Sequence, residues 1–182
     1  MKLCLSHRFR APVTRVMRAL SSADYASHLV AHHSFFDAIE VLARRESAGV
    51  VERSVRYRAR PFIARLGIFS LPADWFSWVE HSRFDLTRGL LTFENVPEVQ
   101  SVREKLTNRG SMKFQRELDA HGRELTLRAS SFEIAFEVPA LYRPLAELGL
   151  SRVARQLESS LAEEAGLLDA WLTLRAAQAR AA

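Results

Sequence analysis

The chain has 182 residues, 48% hydrophobic and 26% charged, a composition that suits one ordinary globular domain able to bury about 70% of its unfolded surface. No apolar run approaches the roughly 18 residues that a membrane-spanning helix needs, and a single cysteine, Cys4, excludes both an internal disulfide and a cysteine-rich metal site. The net charge of +5 rests on 26 basic residues; only Lys2, Lys105 and Lys113 are lysine, and the remaining 23 arginines are scattered among acids and apolar positions rather than gathered beside stacking aromatics, which argues against nucleic-acid binding.

Behind Met1 and Lys2 the apolar stretch covers only Leu3 to Leu5, too short for a signal peptide, and the lone thiol suits a reducing compartment. A cytoplasmic protein is the expectation. Leu3, Leu5, His7 and Phe9 alternate with Cys4, Ser6, Arg8 and Arg10, which predicts a strand with one buried face. Ala11 and Pro12 end it, and Pro12 suits the first turn of a helix whose apolar face is Val13, Val16, Met17 and Leu20. A second short helix begins near Ala23, with Ser22 or Asp24 as its cap.

From Ala38 the pattern changes to period two. Ile39, Val41 and Ala43, a turn at Gly49, then Val51, Val55 and Tyr57 predict a hairpin. Residues 61–74 fit neither period, yet Phe62, Ile63, Leu66, Ile68, Phe69 and Leu71 must leave water, so a partly buried lid or short helix is expected there. Three strands follow, at 75–85, 89–95 and 110–118, with a link around 97–109. The last strand, 123–138, is expected to point Leu125, Leu127 and Ala129 inward, then Phe132, Ile134 and Phe136. That change of parity at Ser130 and Ser131 predicts a β-bulge.

After Pro139, Pro144 and Gly149, one apolar stripe runs through Leu150, Val153, Ala154, Leu157, Leu161, Ala165, Leu168, Trp171 and Leu172. The spacing predicts an amphipathic helix over 151–175, about 37 Å long, and a helix of that length needs a broad partner surface. A curved sheet supplied by the upstream strands is the economical one. Residues 176–182 are expected to form a flexible tail.

This order of strand, two short helices, six or so antiparallel strands and long C-terminal helix resembles the START-like, or SRPBCC, superfamily. The segments that carry the likeness are HRFRAPVTRVMRALSSADYASHL near the N-terminus and VARQLESSLAEEAGLLDAWL near the C-terminus. A further stretch, WFSWVEHSRFDLTRGLLTFENV, is similar to the paired strands of the PRELI-type phospholipid-transfer family. The resemblance implies an α+β helix-grip fold over residues 1–175: a curved antiparallel sheet of about six to seven strands wrapped around the C-terminal helix, with an apolar ligand held between them.

Aromatic side chains at strand positions that could line such a gap are Tyr57, Trp78, Phe93, Phe114 and Phe132, with Phe76 and Phe136 nearby; each is also acceptable as a plain core residue. Charged residues share parity with apolar neighbours at Arg53, Glu80 and Arg116, and His7 does the same. A buried charge needs a partner, so Arg53 or Arg116 would meet an anionic head group or pair with Glu80, unless strand ends or twist return them to water. His28 and His32 have the i, i+4 spacing of metal ligands, with His33 beside them but no further ligand in a motif. Glu80, His81 and Asp85 could form an acid–base group, which strand alternation opposes. Phosphate-binding glycine loops and a nucleophile elbow are absent.

These features predict a non-catalytic protein, needing no cofactor, that binds or carries a hydrophobic or amphiphilic small molecule or lipid, with transient membrane-surface contact as a secondary partner. A polyketide cyclase or aromatase-like enzyme and a protein-interaction module are the alternatives.

Overall fold

The computed structural model describes residues 1–63, 65–66, 69–137, 139–140 and 143–181. Strand β1 (Lys2–Phe9) leads into two short helices, α1 (Val13–Leu20) and α2 (Ala23–His32). Pro12 takes the N-cap position of α1, and Ser22 caps α2 by accepting a hydrogen bond from the Tyr25 N–H at 3.1 Å. The hairpin β2 (Phe36–Ser47) and β3 (Val50–Ala59) turns on Ala48 and Gly49, whose φ values of 48° and 78° suit the tight turn that matches strand twist. Two-residue strands β4 (Arg65–Leu66) and β5 (Phe69–Ser70) pair only with each other, and a 3₁₀ turn at Ala73–Phe76 follows. Then come β6 (Ser77–Asp85), β7 (Leu90–Pro97), the one-turn α3 (Gln100–Arg103), β8 (Leu106–Leu118), β9 (Glu124–Phe136) and α4 (Arg143–Ala181).

Seven strands form one antiparallel sheet in the order β1-β9-β8-β7-β6-β3-β2. One face is covered by α1, α2 and α4; the other faces solvent, as an antiparallel sheet permits. The main core lies beneath α1, α2 and the C-terminal half of α4, where Phe9, Val16, Met17, Phe84, Phe114 and Leu168 are buried together. A second cluster, Phe35, Ala59, Ile63 and Phe76, has Phe62, Leu71 and Val153 packed against it. Among the described residues no helix is long and apolar enough to cross a membrane.

The expected element order holds, with four corrections. The parity of β9 never slips: its ladders with β1 and β8 run without a register shift, and Thr126, Arg128, Ser130, Phe132 and Ile134 all point inward. Local alternation misled here because Thr126 and Arg128 find buried partners, the Ala11 carbonyl and the Glu164 carboxylate, in distant parts of the chain. The bulging falls instead in β2, between Phe36 and Ala38 and between Val41 and Ala43, and it turns Leu42 out to 41% exposure. Strand β8 starts at Leu106, inside the stretch read as a link. Helix α4 spans 39 residues, about 58 Å, beginning beside Pro144 and continuing through Ala181 across the residues expected to form a tail. Within 61–74, Ala64, Gly67 and Ile68 lie outside the described residues; Phe62, Ile63 and Leu71 pack into the second cluster.

Candidate functional site

The two halves of α4 do different things. Ala165, Leu168 and Leu172 are buried in the main core, whereas Leu150, Val153, Leu157 and Leu161 are only half-buried because the space in front of them is not filled. That space is a cavity of about 380 Å³ between the sheet and the helix, with a mostly apolar lining. Its volume falls in the range of small-molecule sites.

Tyr57, Trp78, Phe93, Phe132, Arg53 and Glu80 line this cavity. They converge because β3, β6, β7 and β9 each point alternate side chains to the same face. Tyr57 and Trp78, directly opposed on β3 and β6, stack with ring centroids 5.4 Å apart at 14°. Phe93 and Phe132 meet at 5.4 Å, and Phe93 can lie over β8 because the residue beneath it is Gly110: a Cβ there would come within 2.5 Å of the Phe93 ring and 2.4 Å of the Ser131 carbonyl. Phe114 and Arg116 are not part of the lining. Phe114 is buried in the main core. Arg116 has the same parity, but it lies near the strand end beyond that core; its side chain is 66% exposed and reaches Glu124 at 3.6 Å. The twist and fraying of strand ends return such a charge to water, so Arg116 offers the cavity no cation.

Two guanidinium groups do face the interior, and both are engaged. Arg53 pairs with Glu80 at 3.2 Å and donates to Ser82 Oγ, the Leu20 carbonyl and the Tyr57 hydroxyl. Burial works against its charge, but Tyr57 and Glu80 outweigh that and hold its pKa above the ordinary arginine value. Arg128 on β9, with a side chain 0% exposed, donates to Glu164 Oε2 at 2.6 Å and lies over the Phe9 ring at 5.1 Å. Tyr25 donates to the Glu164 carbonyl at 3.1 Å. Burial, with the nearby carboxylates Glu164 and Glu80 respectively, raises the Tyr25 and Tyr57 phenols far above their usual range, so both are neutral hydroxyls. His7 accepts from Arg128 at 3.3 Å, and burial together with that cation lowers its pKa.

Arg128, Glu164, Asn95 and Asn108 were not singled out in the sequence, although signals existed. Glu164 lies three after Leu161 and four before Leu168, on the apolar stripe itself. Reading β9 backwards from Phe132 and Ile134 without a slip would have turned Arg128 inward. Asn95 shares parity with Leu91 and Phe93. The other constellations stay apart from the cavity: the His28 and His32 rings stack at 4.2 Å on the exposed side of α2, and His81 points outward to Ser54 Oγ at 2.9 Å while Glu80 points in. Asp85 accepts from Thr87 and Arg88 in the turn after β6. Among the described residues no group of three or more His, Cys, Asp or Glu is placed to hold a metal ion.

No family model matches the chain, and no curated protein matches its sequence. Solved structures do match. TTHA0849 from Thermus thermophilus superposes with a TM-score of 0.64 at 19% identity, over 93% of this chain and 98% of that one. The Zhui aromatase/cyclase from a Streptomyces species gives 0.62 at 15% identity, over 93% of each chain. A norcoclaurine synthase point mutant from Thalictrum flavum, in complex with a transition-state analogue, gives 0.60 at 13%, over 96% and 95%. Identities this low with coverage this complete speak for architecture alone, and the chain has a helix-grip fold, a seven-stranded antiparallel sheet with a long C-terminal helix against one face.

Proposed function

We propose that this protein is a cytoplasmic binding or carrier protein for a hydrophobic small molecule or lipid, held in the cavity between the sheet and α4. The observation that carries the reading is the roughly 380 Å³ space itself, lined by Tyr57, Trp78, Phe93 and Phe132 and left open by a helix that is fully packed only in its second half. Folded proteins close-pack their interiors, so an unfilled apolar space of this size is a site for a guest. Trp75 lines the cavity yet stays 37% exposed, which gives its surroundings an apolar edge suited to transient contact with a membrane surface during loading.

A cyclase-like enzyme is the second reading. It is favoured by the Glu80 and Glu164 carboxylates and the Tyr57 hydroxyl in the lining, groups that could orient a reactive chain without a recognisable motif. Titrating the protein with pyrene, read by energy transfer from tryptophan and checked by native mass spectrometry, tests the site. Saturable one-to-one binding weakened by Trp78→Ala is the expected result; no saturable binding would overturn the proposal.

A further inference from the structure

The floor of the cavity carries a polar strip. Glu80 on β6 is paired across the sheet with Asn95 on β7, and Asn95 and Asn108 are the residues just past Glu94 and Arg109, the last pair of the β7–β8 ladder. Asn108 in turn faces Ile134 on β9, where the strip ends. All four residues line the cavity. Asn95 and Asn108 thus border one cavity from neighbouring strands.

Both Asn95 Oδ1 and Asn108 Oδ1 are buried without a hydrogen-bond partner. Leaving such a group unpaired costs free energy, and two of them in the lining of one cavity are a pattern that a ligand would correct. The charges nearby select the kind of ligand. Arg53 and Arg128 are each matched to a carboxylate, so neither guanidinium charge is left for an anionic head group. Arg128 Nε is the guanidinium atom without a partner, and the Glu164 carboxylate already balances its charge. The Arg53–Glu80 pair beside Asn95 carries no net charge, so it offers an anion on the strip no net attraction.

We infer that the ligand is an uncharged, largely apolar molecule bearing a hydroxyl group, seated with that group on Asn95 and Asn108, and not a fatty-acid-like anion. A hydroxyl both donates and accepts, so it satisfies a carboxamide in either orientation of its oxygen and nitrogen. This rests on the cavity being a ligand site, as proposed above.

The test is a matched series of fluorescent probes, pyrene, 1-hydroxypyrene and 1-pyrenecarboxylate, titrated against the wild type and against Asn95→Leu, Asn108→Leu and the double variant. The expected order at pH 7 is 1-hydroxypyrene about tenfold tighter than pyrene, with the carboxylate weakest; in the double variant the ratio of the hydroxypyrene and pyrene affinities falls to about one, whatever the change in pyrene affinity itself. If the double variant does not fold, the wild-type order and the single variants decide. Saturable binding of all three probes with equal affinity, or with the carboxylate tightest, overturns this inference and leaves the cavity reading standing. Binding of none of them sinks both, and the pyrene titration alone identifies that case.

Discussion

Arg128 on β9 and Glu164 on α4 form a salt bridge of 2.6 Å in which the arginine is wholly enclosed and the carboxylate nearly so. It ties the sheet to the long helix at the boundary between the packed half of α4 and the half that faces the cavity, since Leu161 lies on one side and Ala165 and Leu168 on the other. A polar bond at such a place specifies both the rotation of the helix and its height on the sheet.

Removing one partner strands the other charge. Glu164→Ala is expected to lower unfolding stability by about 3–5 kcal/mol, because the Arg128 guanidinium would then sit in the core unpaired. Replacing both, as Arg128→Met with Glu164→Leu, should recover most of the loss. Chemical denaturation measures each, and a cost under about 1 kcal/mol for Glu164→Ala would mean that water reaches the pair.

The division of α4 gives a contrast within one helix. Leu168→Ala removes a side chain with no exposed surface and should cost about 2–5 kcal/mol. Leu157→Ala, whose side chain borders the open space, should cost under about 1.5 kcal/mol while changing pyrene affinity. Equal destabilisation by the two would show that the cavity is collapsed in solution.

His7 supplies a pH dependence. Burial and the Arg128 cation lower its pKa below the ordinary 6.5, so the unfolded chain takes up a proton before the folded one does. The sign follows: this group leaves stability unchanged above about pH 6.5 and reduces it as pH falls from there toward the folded pKa. Thermal denaturation between about pH 7.5 and 5 should show a decline in the wild type that His7→Gln lacks in part; parallel curves would show that His7 is not held by its surroundings.

Much of the architecture was legible in periodicity. The alternation of Leu3, Leu5, His7 and Phe9, the Ser22 cap and the stripe from Leu150 to Leu172 are local patterns set by local geometry, and the elements form where they indicate. The pairing of Arg53 with Glu80 is one of the alternatives that parity left open, and it could be among them because both residues sit on regular strands. Arg128 was not, because the polar residues 126, 128 and 130 looked like a solvent face. What turns Arg128 inward is a carboxylate 36 positions away, and for Thr126 a carbonyl 115 positions away, facts that no local window contains. Arg116 failed for the opposite reason: its parity is correct, but parity carries no information about where along a strand the core stops. That Asn95 and Asn108 share one cavity depends on how β7 and β8 lie in the sheet, which follows from pairing rather than from either strand alone.

Leu150, Val153 and Leu157 on the first half of α4, with Asn95 and Asn108 on the sheet, border the empty space without belonging to the main core, whereas Phe93 and Phe132 serve the core and the cavity at once. Most proteins sit only a few kcal/mol above the threshold at which mutations are lost to unfolding. Positions of the first kind contribute little to that margin and can exchange their side chains freely, so selection can try different guests on the same scaffold while the shared positions stay fixed.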